Sequence, residues 1–141
     1  MGYTDATSFK IRPFDGYGVT TDDGYAIVSQ WIDVQHTPFI DISVVFTGGS
    51  PAGTLSLMKS NATQWTGGNW GQPLFVGTAG GVSDAVACPT GSGTVTATVT
   101  SAGVVYTLNQ QLVGYRWLQL VFTPSNSVTT QIDAWCSWKR A

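Results

Sequence analysis

The last quarter of the chain limits the fold more than any other stretch. Residues 115–140 read Tyr-Arg-Trp-Leu-Gln-Leu-Val-Phe-Thr-Pro-Ser-Asn-Ser-Val-Thr-Thr-Gln-Ile-Asp-Ala-Trp-Cys-Ser-Trp-Lys-Arg. Leu118, Leu120 and Phe122 recur every second residue before a Pro-Ser-Asn-Ser turn. After the turn, Val128, Ile132, Ala134, Cys136 and Trp138 lie opposite Thr129, Gln131, Asp133, Ser137 and Lys139. A period of two turns one face to a core and the other to water, which predicts two strands joined as a β-hairpin. The polar faces are neutral, carrying Thr, Gln and Ser where Lys and Glu are usual.

The same pattern runs back through the chain. Tyr25 to Val34, Phe39 to Thr47, Gly53 to Ser60, Pro73 to Thr78, Gly93 to Thr100 and Val104 to Leu108 read as strands. Ile40, Ile42, Val44 and Phe46 share one face, and Val95, Ala97 and Val99 alternate with threonines. Only 10% of the 141 residues are charged, against a usual share of about 25%, and none is Glu. Losing Glu and most Lys removes the best surface helix formers, while Thr, Val and aromatics suit a pleated surface. About eight strands with no helical period predict an all-β, antiparallel sandwich of jelly-roll type over residues 24–141. Residues 1–23 predict an extended N-terminal arm. It is rich in Gly and Asp, and its aromatics Tyr3, Phe9, Phe14 and Tyr17 imply docking, onto its own domain or onto a neighbour.

Chemistry has few candidates here. His36 is the sole histidine and sits in a Gln-His-Thr-Pro turn. Neither a nucleophile elbow nor a cysteine-protease signature surrounds a Ser or Cys. Asp22-Asp23 reads as a turn, since adjacent strand residues point to opposite faces. No catalytic residue, cofactor site or metal site is expected. Thr21-Asp22-Asp23-Gly24 lacks the alternating acids and closing Glu of a calcium loop, and two Cys with one His make no structural zinc site. Cys88 and Cys136 are expected as two thiols, the second inward on its strand. The six basic residues are scattered and the net charge is −2, so nucleic-acid binding is not expected. No apolar run reaches the about 20 residues of a membrane helix, and no secretory leader opens the chain.

The loop Trp65-Thr66-Gly67-Gly68-Asn69-Trp70 is the sharpest candidate contact. Trp65, Asn69 and Trp70 could hold a sugar by stacking and hydrogen bonding. The competing and favoured reading packs both indoles into the sandwich end or a subunit interface. Arg116 interrupts an apolar-facing series, so it either snorkels or pairs with an Asp.

Two segments carry a resemblance. Gly53-Thr54-Leu55-Ser56-Leu57-Met58-Lys59-Ser60-Asn61, after a Gly/Pro turn, resembles a strand of small β-sandwich virion proteins of tailed bacteriophages. Gly114-Tyr115-Arg116-Trp117-Leu118-Gln119-Leu120-Val121-Phe122-Thr123 is similar to a second strand of theirs. The resemblance spans residues 25–140 and implies a capsid decoration, head-spike or fibre-tip protein, often a homotrimer. It implies localisation to the virion after synthesis in the host cytoplasm, and brings no catalytic residues. The expected partners are further copies of the chain and the major capsid protein or another virion protein. The arm, through Tyr3, Phe9, Arg12, Phe14 and Tyr17, is the expected capsid contact. The alternative is a receptor- or glycan-binding module at a tail tip, with Trp65 and Trp70 meeting a host-surface glycan.

Overall fold

The structure, a computed structural model, describes residues 7–34, 39–60, 86–88, 90–111 and 116–139. These form ten strands: β1 (Thr7–Thr20), β2 (Ile27–Val28), β3 (Ile32–Asp33), β4 (Phe39–Thr47), β5 (Gly53–Ser60), β6 (Val86–Ala87), β7 (Thr96–Val99), β8 (Val105–Gln111), β9 (Trp117–Pro124) and β10 (Thr129–Lys139). A single 3-10 turn, Thr90–Ser92, is the only helical element among the described residues.

Two antiparallel sheets face each other. One has the order β1-β10-β4-β8; the other runs β2-β9-β5-β6, with β3 also on β9 and β7 also on β5. β2 with β3, and β6 with β7, each fill one strand position in two pieces, so ten strands occupy eight positions. Lettered B to I along the chain, the sheets read B-I-D-G and C-H-E-F. That is the jelly-roll arrangement, in which the chain keeps crossing from one sheet to the other.

The crossing corrects the expected hairpin. β9 and β10 alternate as read, but they lie in different sheets: β9 pairs with β5, and β10 with β1 and β4. Residues 124–128 form an arch between layers. Alternation fixes which face is buried, and either a hairpin or an arch satisfies it. Thr21 holds the arch: its backbone N–H and its hydroxyl donate to Val128 O, at 2.8 and 3.2 Å, and the hydroxyl accepts from Val128 N–H at 2.9 Å.

The inward residues build one core. Ile40, Ile42, Val44, Phe46, Leu55, Leu57, Leu108, Leu118, Leu120, Phe122, Ile132, Ala134 and Cys136 are each at most 1% exposed. Phe46 and Phe122 meet across the layers with ring centroids 4.9 Å apart.

Within the stretch expected as an arm, Thr7–Thr20 is an edge strand. It pairs with β10 from Thr7↔Trp138 to Thr20↔Thr129. Ile11 and Phe14 are 0% and 1% exposed in the core, and Phe9 packs against it. Of the two dockings open to an aromatic lead-in, β1 takes its own domain.

Candidate functional site: the outer face and open edges of the four-stranded sheet

The outer face of the B-I-D-G sheet is set by register. Lys10, Trp135, Ser43 and Thr107 form one row across the four strands; Asp15, Asp133, Val45 and Val105 form the next. Ser8, Ser137, Asp41 and Asn109 form a third. Trp135 stands among these polar groups with 37% of its surface exposed.

Lys10 Nζ bridges Asp15 Oδ1 and Asp133 Oδ1, each at 3.3 Å. Hydrogen bonding to Asp15 and then Asp133 raises the Lys10 pKa above its ordinary value, so the ammonium stays charged. The triad crosses β1 and β10 where their register shifts, between Lys10 and Asp15. Such an exposed pair adds little stability. It sets a charge beside the bulge on the β1 edge.

The two edges of this sheet differ. On β1, Pro13 has no N–H, Arg12 O accepts from Gln30 N–H, and the strand carries the bulge. Edge strands are commonly blunted by such means. β8 carries no charged residue and no Pro between Val105 and Gln111, and its pairing with β4 runs without a shift. One end of its edge is capped. Cys88 N–H donates to Leu57 O and Leu57 N–H to Val95 O, so the chain between Cys88 and Val95 bulges out from β5. From that bulge Thr94 O accepts from Asn109 N–H at 2.8 Å, and Thr94 N–H donates to Asn109 Oδ1 at 3.0 Å.

The sequence-expected contacts are dispersed. Phe14 is a core ring, which corrects its expected capsid contact: an inward residue at 1% exposure cannot touch a partner. Phe9 is half-buried against the core, and Arg12 is exposed. Trp65, Asn69, Trp70, Tyr3 and His36 lie outside the described residues, as does the Tyr17 side chain. Arg116 pairs within the chain, with Nη2 3.8 Å from Asp33 Oδ2 and its guanidinium 4.8 Å from the Trp117 ring centroid. Cys88 and Cys136 are buried thiols, on opposite layers. The described residues contain no group of three or more His, Cys, Asp or Glu placed to hold a metal.

Sequence reading passed over Trp135 and the β8 edge. Both had signals. Trp135 is the one indole in an otherwise polar odd-numbered series from Thr129 to Lys139, and no charged residue falls between Asp84 and Arg116, a stretch that holds all of β8.

No family model and no curated protein matches the sequence. Among solved structures, the SPBc2 prophage-derived protein YomS is similar with a TM-score of 0.48 and 10% identity, over 97% of this chain and 96% of that one. A chain of the cyanophage Pam1 capsid asymmetric unit is similar with a TM-score of 0.40 and 9% identity, over 100% of this chain and 89% of that one.

Proposed function

We propose that this chain is a structural protein of a tailed-bacteriophage virion, a capsid decoration (cement) or head-spike protein that assembles as a homo-oligomer and contacts the major capsid protein. One observation carries the reading. The two segments with the virion-protein resemblance are β5 and β9, hydrogen-bonded neighbours running Gly53↔Pro124 to Ser60↔Trp117 at the centre of one sheet. Short strings that resemble a family one at a time gain weight when the fold sets them side by side.

Physical chemistry supports the same class. Jelly rolls recur in capsid and lectin domains, though a fold alone assigns no function. Faces of Ser, Thr, Asn and Gln offer a partner hydrogen bonds without the desolvation cost of many charges. The chain is read as non-enzymatic, with three copies as the count that the resemblance implies. With Phe14 in the core, the capsid-facing surface of β1 reduces to exposed groups such as Ser8, Lys10 and Arg12.

The test is compositional. Virions made from the genome that encodes this chain are purified and analysed by quantitative mass spectrometry. The expected result is a fixed copy number per particle that survives a density gradient. Particles without the chain would end the proposal.

A second reading, a receptor- or glycan-binding module, has one observation of its own: the exposed Trp135 beside Lys10 and Ser43. A flat ring among hydroxyl and charged groups is a surface a sugar can stack on. Sugar binding on a glycan array, lost on Trp135→Ala or on replacing Trp65 and Trp70, would favour it over the capsid role.

A further inference from the structure

We propose that the open part of the β8 edge, Val105 to Thr107, pairs antiparallel with the same segment of a second copy, joining two four-stranded sheets into one of eight strands. The inference rests on the homo-oligomer part of the reading above, replaces its count of three with an even one, and does not depend on the virion part.

The argument starts from backbone direction. Asn109 N–H points away from β4, because it donates to Thr94. Residues of the same parity on a strand point the same way, so the N–H and C=O groups of Val105 and Thr107 also leave the sheet. Val104 and Val105 beside them are 46% and 57% exposed. Among the described residues nothing meets these donors and acceptors, and such an edge row flanked by exposed β-branched residues is a template for another strand.

The occupant follows from which groups are open. Val105 and Thr107 lie symmetrically about Tyr106. A two-fold axis at Tyr106 sets Val105 of one copy against Thr107 of the other, and the reverse, so each open donor meets an open acceptor. Moving the axis to Thr107 would set Val105 against Asn109, whose N–H is already taken. In the favoured register the Asn109–Thr94 cap of the second copy falls opposite Gly103. Gly103 lies before β8 begins, and its N–H donates back to Phe46 O, so no ladder bond is required of it there. The strand is uncharged, so copy meets copy without like-charge repulsion. The blunted β1 edge suits no such contact, which selects β8-to-β8 over head-to-tail pairing.

The test uses Thr107→Pro and Val105→Lys, with Thr107→Val as control. The Thr107 N–H makes no bond to β4, so proline removes only the outward donor from this edge position. Sedimentation velocity over a concentration series reads the assembly, and far-UV circular dichroism reads the fold. The wild type is expected at even multiples of the chain mass. Both test variants are expected to dissociate, with affinity weakened at least about tenfold, and Thr107→Val is expected to assemble. Folded variants that still assemble would overturn the β8 contact and leave the homo-oligomer reading standing, as would a strictly three-copy wild type. A monomeric wild type would overturn both. Should either variant fail to fold, hydrogen exchange on the wild type decides. Amides of Val105 and Thr107 are expected to gain protection as concentration rises, and unchanged rates would refute the pairing.

Discussion

Cys136 faces inward on β10 with no exposed surface, and burial pushes its thiol up to about 12 from an ordinary 9.0. Thiolate is the reactive form, so Cys136 should resist iodoacetamide at neutral pH in the folded protein and react after denaturation, as read by peptide mass mapping. The pH sign follows from the same shift. The folded state holds the proton more tightly than the unfolded one, so this group leaves stability level below pH 9 and lowers it between pH 9 and about 12. Cys136→Ala should flatten that alkaline decline; an unchanged slope would clear the thiol of the effect. Gly53, at the start of β5, shows the opposite demand, for the absence of a side chain. A Cβ there would lie 2.3 Å from Thr123 O and 2.8 Å from Pro124 Cα, both backbone atoms that cannot swing aside. Gly53→Ala is expected to cost about 1–3 kcal/mol in urea unfolding. The glycine that opens the resembling segment is there so that β5 and β9 can touch.

β1 decides how the sheet ends. With Phe14 fully enclosed, Phe14→Ala should cost about 3–5 kcal/mol, a loss that a flexible surface arm would not show. Removing residues 1–20 would strip Ile11 and Phe14 from the core and bare the β10 edge, so such a truncation measures folding before it measures capsid contact. Much of this was legible in the residues. Period-two alternation placed β4, β5, β8, β9 and β10, and the inward side chains of all of these but β8. It could not choose partners, and the hairpin read for β9 and β10 fails, because Ile132 meets the core equally well from a hairpin or an arch. It read most of β1 as an arm, because Pro13, Gly16 and Gly18 break the alternation that Phe9 and Ile11 begin. A bulged edge strand looks, as letters, like a linker. The candidate surface was less legible still. An open edge is defined by what does not pair with it, and that depends on where Thr94 and Pro13 come to rest.

Across the molecule the jelly-roll path makes neighbours of residues far apart in the chain: β1 with β10, β4 with β10 and β8, β5 with β9. Almost no sheet can close locally, so loop-closure entropy is spent before contacts return it. Refolding is expected in milliseconds to seconds by stopped-flow tryptophan fluorescence; a microsecond phase carrying the whole amplitude would contradict the topology. During synthesis the same layout imposes a wait. β1 ends at Thr20, and the strand that completes it does not begin until Thr129. At ribosomal speeds of about 5–20 residues per second, the greasy side of β1 stands uncovered for roughly 5–20 seconds in a crowded cell, a window in which a chaperone or a wrong neighbour can reach it first.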